Sequence, residues 1–424
     1  MNALKSDLIL SDLLSLHPKI IDLTLDRVTS LLKNLHNPEK EIPPVIHIAG
    51  TNGKGSTQAL IRAGLEGFGK SVHVYTSPHL SKFHERIVLS GNLITEKDLI
   101  KTLKECQIAN ENKPITFFEI TTCAAFLAFS RIQADYTLLE VGLGGRLDAT
   151  NVIENPKLTI ITPVSLDHIQ FLGDTVPLIA EEKAGIIKKS VPCIVGPQTQ
   201  QALSVIRMIS DELGSPLKVY NEHWHVREKN DILVYQDELG NLELPLPKLV
   251  GNHQVINAGT AIAAMRELKL SKNAIEYGLK NVSWPARMQR LKRGSLIEIA
   301  DDFELWLDGG HNEAAGKAIS STLNLLPTQQ NILICGMLKT KDIVGFLEPF
   351  LGIIECVCGI PVPGEDCSSS PENIADFADS LGIDSLSAQN VHEAIKMIQQ
   401  KYSKGRIIIC GSLYLAGDIL KNNS

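Results

Sequence analysis

Short apolar runs rich in valine and isoleucine recur through the first half of the chain: VIHIAG (45–50), SVHVYTS (71–77), YTLLEVG (136–142), LTIITPV (158–164) and PCIVGP (192–197). They are too short for helices and unbroken rather than alternating, which predicts strands buried on both faces. Between them lie helical patterns such as STQALIRAGLEGFG (56–69) and EITTCAAFLAFSRI (119–132). Strands alternating with helices predict a mostly parallel sheet covered on both sides, with ligands gathering at the carboxyl ends of the strands.

The pattern changes near residue 215. Residues 216–249 alternate polar and apolar positions around the turn signal ELGN, which predicts an antiparallel insert. A helical stretch, NHQVINAGTAIAAMRELKL (252–270), follows. After WPARMQRL (284–291) a second series of strand-like runs begins: FELWLDGG, QNILICGM, IIECVCGI and GRIIICGS. The expected domains are therefore 1–285 and 286–424. A chain of 424 residues suits two or three domains at roughly 150 residues each.

Composition narrows the partners. The chain is 44% hydrophobic and 21% charged, with a net charge of −7. No basic excess exists to neutralise many phosphates, so a general nucleic-acid binder is not expected, whereas an anionic small molecule in a local basic pocket is allowed. The start, MNALKSDLILSDLLSLHPK, reads as an amphipathic helix rather than a signal peptide. No apolar stretch approaches the ~18 residues of a membrane span. The 8 scattered cysteines read as reduced core thiols, and CVC (356–358) is not a zinc spacing. A cytoplasmic protein is expected.

The chemistry begins at GTNGKGS (50–56), which follows one predicted strand and opens one predicted helix. Glycines let such a turn aim backbone N–H groups at oxygens, and a helix start adds positive potential. Gly50, Thr51, Asn52, Gly53, Lys54, Gly55 and Ser56 are thus the candidate phosphate cradle. Lys54 would face the terminal phosphates and Ser56 a magnesium ion. The spacing differs from the common Walker pattern: two residues, not four, precede Gly53, and Gly55 separates lysine from serine.

This loop resembles that of the Mur ligase superfamily, in its folylpolyglutamate synthase and dihydrofolate synthase branch. YTSPHL (75–80), TFFE (116–119), EVGLGGRLDATN (140–151), SLDH (165–168), EKAGI (182–186), WPARMQ (284–289), LDGGHN (307–312), GMLKTKD (336–342) and CGSLYLAG (410–417) resemble that family's blocks, in its order, over nearly the whole chain. LHPKIIDLTLDRV (16–28) looks most like bifunctional bacterial members that act on dihydropteroate. The resemblance implies an N-terminal, P-loop ATPase-like, mostly parallel α/β domain with an antiparallel insert. It also implies a C-terminal Rossmann-like α/β domain.

It also assigns residues. Glu140, ending a strand beside a glycine-rich loop, is well placed for magnesium on chemical grounds. The resemblance adds Ser77 and His168, for one or two Mg2+ ions. By residue type alone His168 reads as a core or capping histidine. Lys183 reads as a surface lysine by itself; the resemblance makes it carbamylated. Asn257, Arg287 and Asp308 would join the loop in binding ATP: an arginine can clamp a phosphate bidentately, and a strand-end aspartate can accept ribose hydroxyls. Lys54, Lys183 and His311 are the expected catalytic residues. The family commonly has alanine where Gly310 stands and glycine where Ala286 stands. By resemblance Ile20, Ile21 and Asp22 form one wall of a pterin pocket. Phe118, Glu119, Ile120 and Thr121 form a second, with Asp148 beside them. FFEITTCAAFLAF also reads as an ordinary buried helix.

The implied enzyme is an ATP-dependent amide ligase. It would phosphorylate a carboxylate and join L-glutamate to 7,8-dihydropteroate and to reduced folates. It would bind neither nucleic acid nor membrane and would act as a monomer. The alternatives are a polyglutamylating enzyme alone, a Mur-type peptidoglycan ligase and a nucleotide-dependent binding module. TSPHL, TFFE and CGSLYLAG speak against the peptidoglycan ligase.

Overall fold

The computed structural model describes residues 5–17 and 21–423, so Ile20 lies outside the described residues. The chain forms two compact units: 1–247 with 255–282, and 248–254 with 283–424.

The first unit is built on eight strands: β1 Val45–Ala49, β2 Val72–Tyr75, β3 Ile87–Leu89, β4 Asn92–Leu93, β5 Tyr136–Glu140, β6 Leu158–Ile161, β7 Cys193–Val195 and β8 Leu217–Val219. Their order is β4-β3-β2-β5-β1-β6-β7-β8. All neighbours run parallel from β2 to β8, and β3 and β4 add an antiparallel edge. All five residues of β1 are buried, as a central strand covered on both faces requires. The helix Phe117–Phe129 supplies much of one apolar layer, through Ile120, Cys123, Ala124, Phe126 and Phe129.

The antiparallel insert consists of β9 Trp224–Lys229, β10 Ile232–Asp237 and β11 Gly240–Pro245, in one three-stranded sheet. One expectation is corrected here. Residues 217–219, read as part of the insert, instead form the parallel edge strand β8 of the main sheet. Lys218 interrupts the apolar run, and an edge strand needs only one buried side chain, Val219, to hold it.

The second unit carries β12 Gln289–Arg290, β13 Phe303–Leu307, β14 Asn331–Cys335, β15 Cys356–Gly359, β16 Asp384–Ser387 and β17 Gly405–Cys410. The order is β12-β13-β17-β14-β15-β16, parallel except for β12. Its core includes Trp306, Leu333, Phe346, Phe350 and Ile408. The cysteines are free thiols and all are buried except Cys367. Among the described residues no helix is long and apolar enough to cross a membrane.

Candidate active site

The loop after β1 is held from three sides. Thr51 N donates to Pro163 O at 2.9 Å, past the end of β6, and Thr51 Oγ1 exchanges hydrogen bonds with the backbone of Ser165 at 3.0 Å. The helix Lys54–Gly67 begins at once, with Gly53 in the left-handed region at φ 87°. A side chain at Gly53 would be strained and would also collide with Asn257, whose Oδ1 lies 2.4 Å from the position a Cβ would take. Asn257 is buried and touches the turn, as a residue that supports the loop must.

Two lysines converge on this loop. Lys54 Nζ donates to Gly50 O at 3.1 Å and to Thr51 O at 3.4 Å. Lys183, on the helix Val176–Ala184, donates to the same Gly50 O at 3.0 Å. Lys183 is buried; desolvation, with the Lys54 charge second, pushes its amine down to about 7. The sequence around Lys183 resembles a surface helix, and only the fold shows that this lysine points inward.

Glu140 ends β5 directly beside β1, its Cα paired with Ile48. Its Oε2 accepts from Thr76 Oγ1 and, at 3.3 Å, from Ser77 N. Ser77 Oγ is buried without a hydrogen-bond partner. A carboxylate with an orphaned hydroxyl next to it, at the strand ends that carry the phosphate loop, is a hard-oxygen pair suited to magnesium. His168 stands at the start of the short helix Ile169–Leu172, at φ 51°, with its side chain 40% exposed and Nε2 3.9 Å from Asp167. Ser77 and Glu140 are thus brought together, and His168 occupies an exposed position on the loop after β6.

The expected pterin-side residues divide by burial. Ile21, Asp22 and Phe118 are partly exposed. Phe118 packs against Gly142, where an added Cβ would lie 2.4 Å from the ring, and sits 6.1 Å from the Tyr75 ring. Ile120 and Thr121 are fully buried within their helix. Glu119 caps that helix: its Oε2 accepts from Thr116 N at 2.7 Å and Thr116 Oγ1 at 2.9 Å, and Thr116 Oγ1 accepts from Glu119 N. Asp148 is also buried and occupied. Its oxygens accept from Leu143 N at 2.8 Å, Thr150 N at 3.0 Å and Thr150 Oγ1 at 2.5 Å. Burial raises its carboxyl despite those bonds. His47 Nε2 lies 2.8 Å from Thr150 Oγ1, extending the chain of bonds beneath the loop.

In the second unit the LDGGHN loop follows β13. Asp308 accepts from Met288 N and from Gly310 N, each at 2.7 Å, so its carboxylate shapes two backbone segments. His311 Nδ1 lies 2.9 Å from Gly309 O, which can only accept, so Nδ1 carries the proton in the neutral ring. Arg287 Nη1 donates to Ala286 O at 2.7 Å and lies over Gly309. The backbone bears on both small-residue positions. Ala286 sits at φ 54°, which explains why glycine suits that position. At Gly310 an added Cβ would lie 2.9 Å from both the Ala315 Cβ and Asp308 Oδ1. Gly310→Ala is therefore expected to destabilise this protein by about 1–3 kcal/mol, read as a lowered thermal midpoint.

A phosphate-type loop at the end of a parallel strand, backed by lysines, a carboxylate and an unpaired hydroxyl, defines a nucleotide-using α/β enzyme. Residues 48–265 match the family model of the Mur ligase middle domain, and 296–422 match the C-terminal domain of dihydrofolate synthetase. The chain is 32% identical to the dihydrofolate synthase/folylpolyglutamate synthase of Escherichia coli over 416 residues, covering 97% of this chain and 94% of that one. The structure of E. coli FolC in complex with DHPP and ADP superposes with a TM-score of 0.89 at 31% identity, over 98% and 97% of the two chains. A bifunctional folylpolyglutamate synthase/dihydrofolate synthase with Mn, AMPPNP and L-glutamate bound gives a TM-score of 0.86 at 28% identity, with the same coverage. The chain belongs to the dihydrofolate synthase/folylpolyglutamate synthase family of Mur-type, ATP-dependent ligases.

One residue that bridges the two expected pterin-side segments escaped the sequence reading. Arg27, at the start of the helix Asp26–Asn34, joins Asp22 to Glu119. Asp22 is five positions away, but no local spacing signals the bridge, because Glu119 is 92 positions away.

Proposed function

We propose that this protein joins L-glutamate to the carboxylate of 7,8-dihydropteroate, giving dihydrofolate, and to tetrahydrofolates, giving polyglutamates. The observation that carries the reading is the meeting of Lys54 and Lys183 on Gly50 O of the Gly50–Ser56 loop, with Glu140, bonded to Ser77, ending the strand beside β1. The names of the relatives support the choice of substrates.

A carboxylate is a poor acylating agent. A pteroate carboxylate oxygen attacks the γ-phosphorus of ATP, ADP leaves and an acyl phosphate forms. The glutamate amine then attacks the acyl carbon, phosphate leaves, and the amine loses a proton as the amide forms. Phosphoryl transfer depends on alignment and on neutralising charge. The amides of the loop cradle the phosphates while Lys54 swings from its carbonyl contacts to the terminal phosphate. Glu140 and Ser77, with His168, would hold magnesium, which when bound neutralises phosphate charge. Asn257, Arg287, Asp308 and His311 serve the nucleotide in this reading. Asp22, Ile21 and Phe118 offer the pterin an acceptor and apolar contact; Glu119 and Asp148 shape the surrounding backbone.

Lys183 is read as carbamylated. CO2 adds to a neutral amine, and burial keeps this amine neutral near pH 7 far more readily than an exposed lysine.

The test is phosphate release from ATP and magnesium with L-glutamate, with and without 7,8-dihydropteroate, followed by mass spectrometry. Dihydropteroate-dependent release with dihydrofolate formed is the expected result. Turnover with tetrahydrofolate alone restricts the enzyme to polyglutamylation. Silence with both substrates removes the reading.

A further inference from the structure

Arg27 lies between the two segments assigned to the pterin, and every nitrogen of its guanidinium is used there. Nε donates to Glu119 Oε2 at 2.9 Å and Nη2 to Glu119 Oε1 at 3.0 Å, a bidentate fork. Nη1 donates to Asp22 Oδ2 at 2.8 Å, and Nη2 also donates to the Asp22 carbonyl at 2.8 Å. The Glu119 end is closed: that side chain is 5% exposed and also holds the Thr116 cap. Asp22 is less enclosed, with 33% of the side chain exposed.

The asymmetry gives the arrangement a direction. Glu119 is fixed to the first turn of a core helix, and that helix also carries Phe118. Arg27 transmits this fixed position across the gap and clamps both the carboxylate and the main chain of Asp22. Residues 22–25 have no regular secondary structure of their own, so this clamp sets where their backbone lies. His17 Nε2 adds a more distant contact, 3.8 Å from Asp22 Oδ2.

We infer that Arg27 is a positioning residue for pterin recognition: it holds Asp22 at a fixed place relative to Phe118 without touching the substrate. The inference rests on the functional reading above. A lysine cannot substitute, because a single ammonium cannot form a fork to Glu119 while also reaching two acceptors on Asp22.

The experiment is steady-state kinetics on the full chain, wild type against Arg27→Lys and Arg27→Met. Dihydropteroate and ATP are varied separately, and a thermal melt is recorded for each protein. The expected result is a rise in KM for dihydropteroate of about tenfold or more in Arg27→Lys, with KM for ATP within about twofold of wild type. Arg27→Met leaves Glu119 buried without its cation and is expected to melt lower; if it fails to fold, Arg27→Lys carries the measurement. An unchanged KM for dihydropteroate in folded Arg27→Lys overturns the inference. So does a proportional rise in both KM values, which marks a general structural role. A wild type without dihydropteroate-dependent turnover removes the functional reading and this inference together. A normally active wild type beside an unaltered Arg27→Lys removes the role of Arg27 alone.

Discussion

Lys54→Ala is expected to lose ATP-dependent ligase activity by at least ~10²-fold while remaining folded, because the change removes the cation that meets the phosphate and little else. The ammonium makes two hydrogen bonds in this structure, both to carbonyls of its own loop, at 3.1 and 3.4 Å. Those acceptors keep access to other donors: Gly50 O is already shared with Lys183. The loop itself is fixed by Thr51 N on Pro163 O, by the Thr51–Ser165 exchange and by the helix that starts at Lys54, none of which needs the side chain of residue 54. The two predicted readouts therefore separate, with the thermal midpoint near wild type and phosphate release nearly abolished. A folded Lys54→Ala protein with full activity would sink the proposed use of the loop. Lys54→Arg is expected to recover only part of the rate, since a planar fork does not replace a compact point charge beside a terminal phosphate.

The loop was readable because its signal is local. Glycines, lysine and serine lie within seven positions, between a strand and a helix whose periodicities are clear. The main strands were readable for a related reason: a central parallel strand is buried on both faces, so VIHIA and GRIIIC carry almost no polar interruptions. The edges were not. Asn92–Leu93 is exposed and Asp384–Ser387 reads DSLS, with no apolar run to announce either, and Leu217–Val219 was absorbed into the alternating region that follows it.

Side-chain direction was the other blind spot. EEKAGIIKK has the composition of a solvated helix, yet Lys183 is buried and donates to Gly50 O. Glu119 has the composition of a pocket acid, yet it is consumed by a helix cap and by Arg27. A one-dimensional pattern gives which residue types occur. It does not show how deeply each carboxylate is enclosed: the Glu119 side chain is 5% exposed and that of Asp22 33%.

Removing CO2 is expected to make the stability of this protein depend on pH through Lys183. The buried amine has a folded pKa of about 7, against 10.5 for the ordinary side chain. The unfolded chain thus binds more protons between those values, and stability rises with pH across that window. Below about pH 7 the cost of burying the group is fully present; above about 10.5 it has vanished. The slope within the window approaches ~1.4 kcal/mol per pH unit. Desolvation is the larger part of the cost; repulsion from Lys54, which donates to the same Gly50 O, is the second part. Carbamylation relieves the repulsion, because the amine becomes an anion that Lys54 attracts. Urea melts of CO2-depleted protein at pH 7 and pH 9 measure the slope, with Lys183→Met as the reference that lacks it. Native mass spectrometry in bicarbonate is expected to show a gain of one CO2 in wild type and none in Lys183→Met. Ligase activity should follow that mass, falling at least ~10²-fold in the variant. Equal slopes in the two proteins would mean that Lys183 is not held neutral. A wild type that is fully active without the added mass would remove the carbamate from the mechanism.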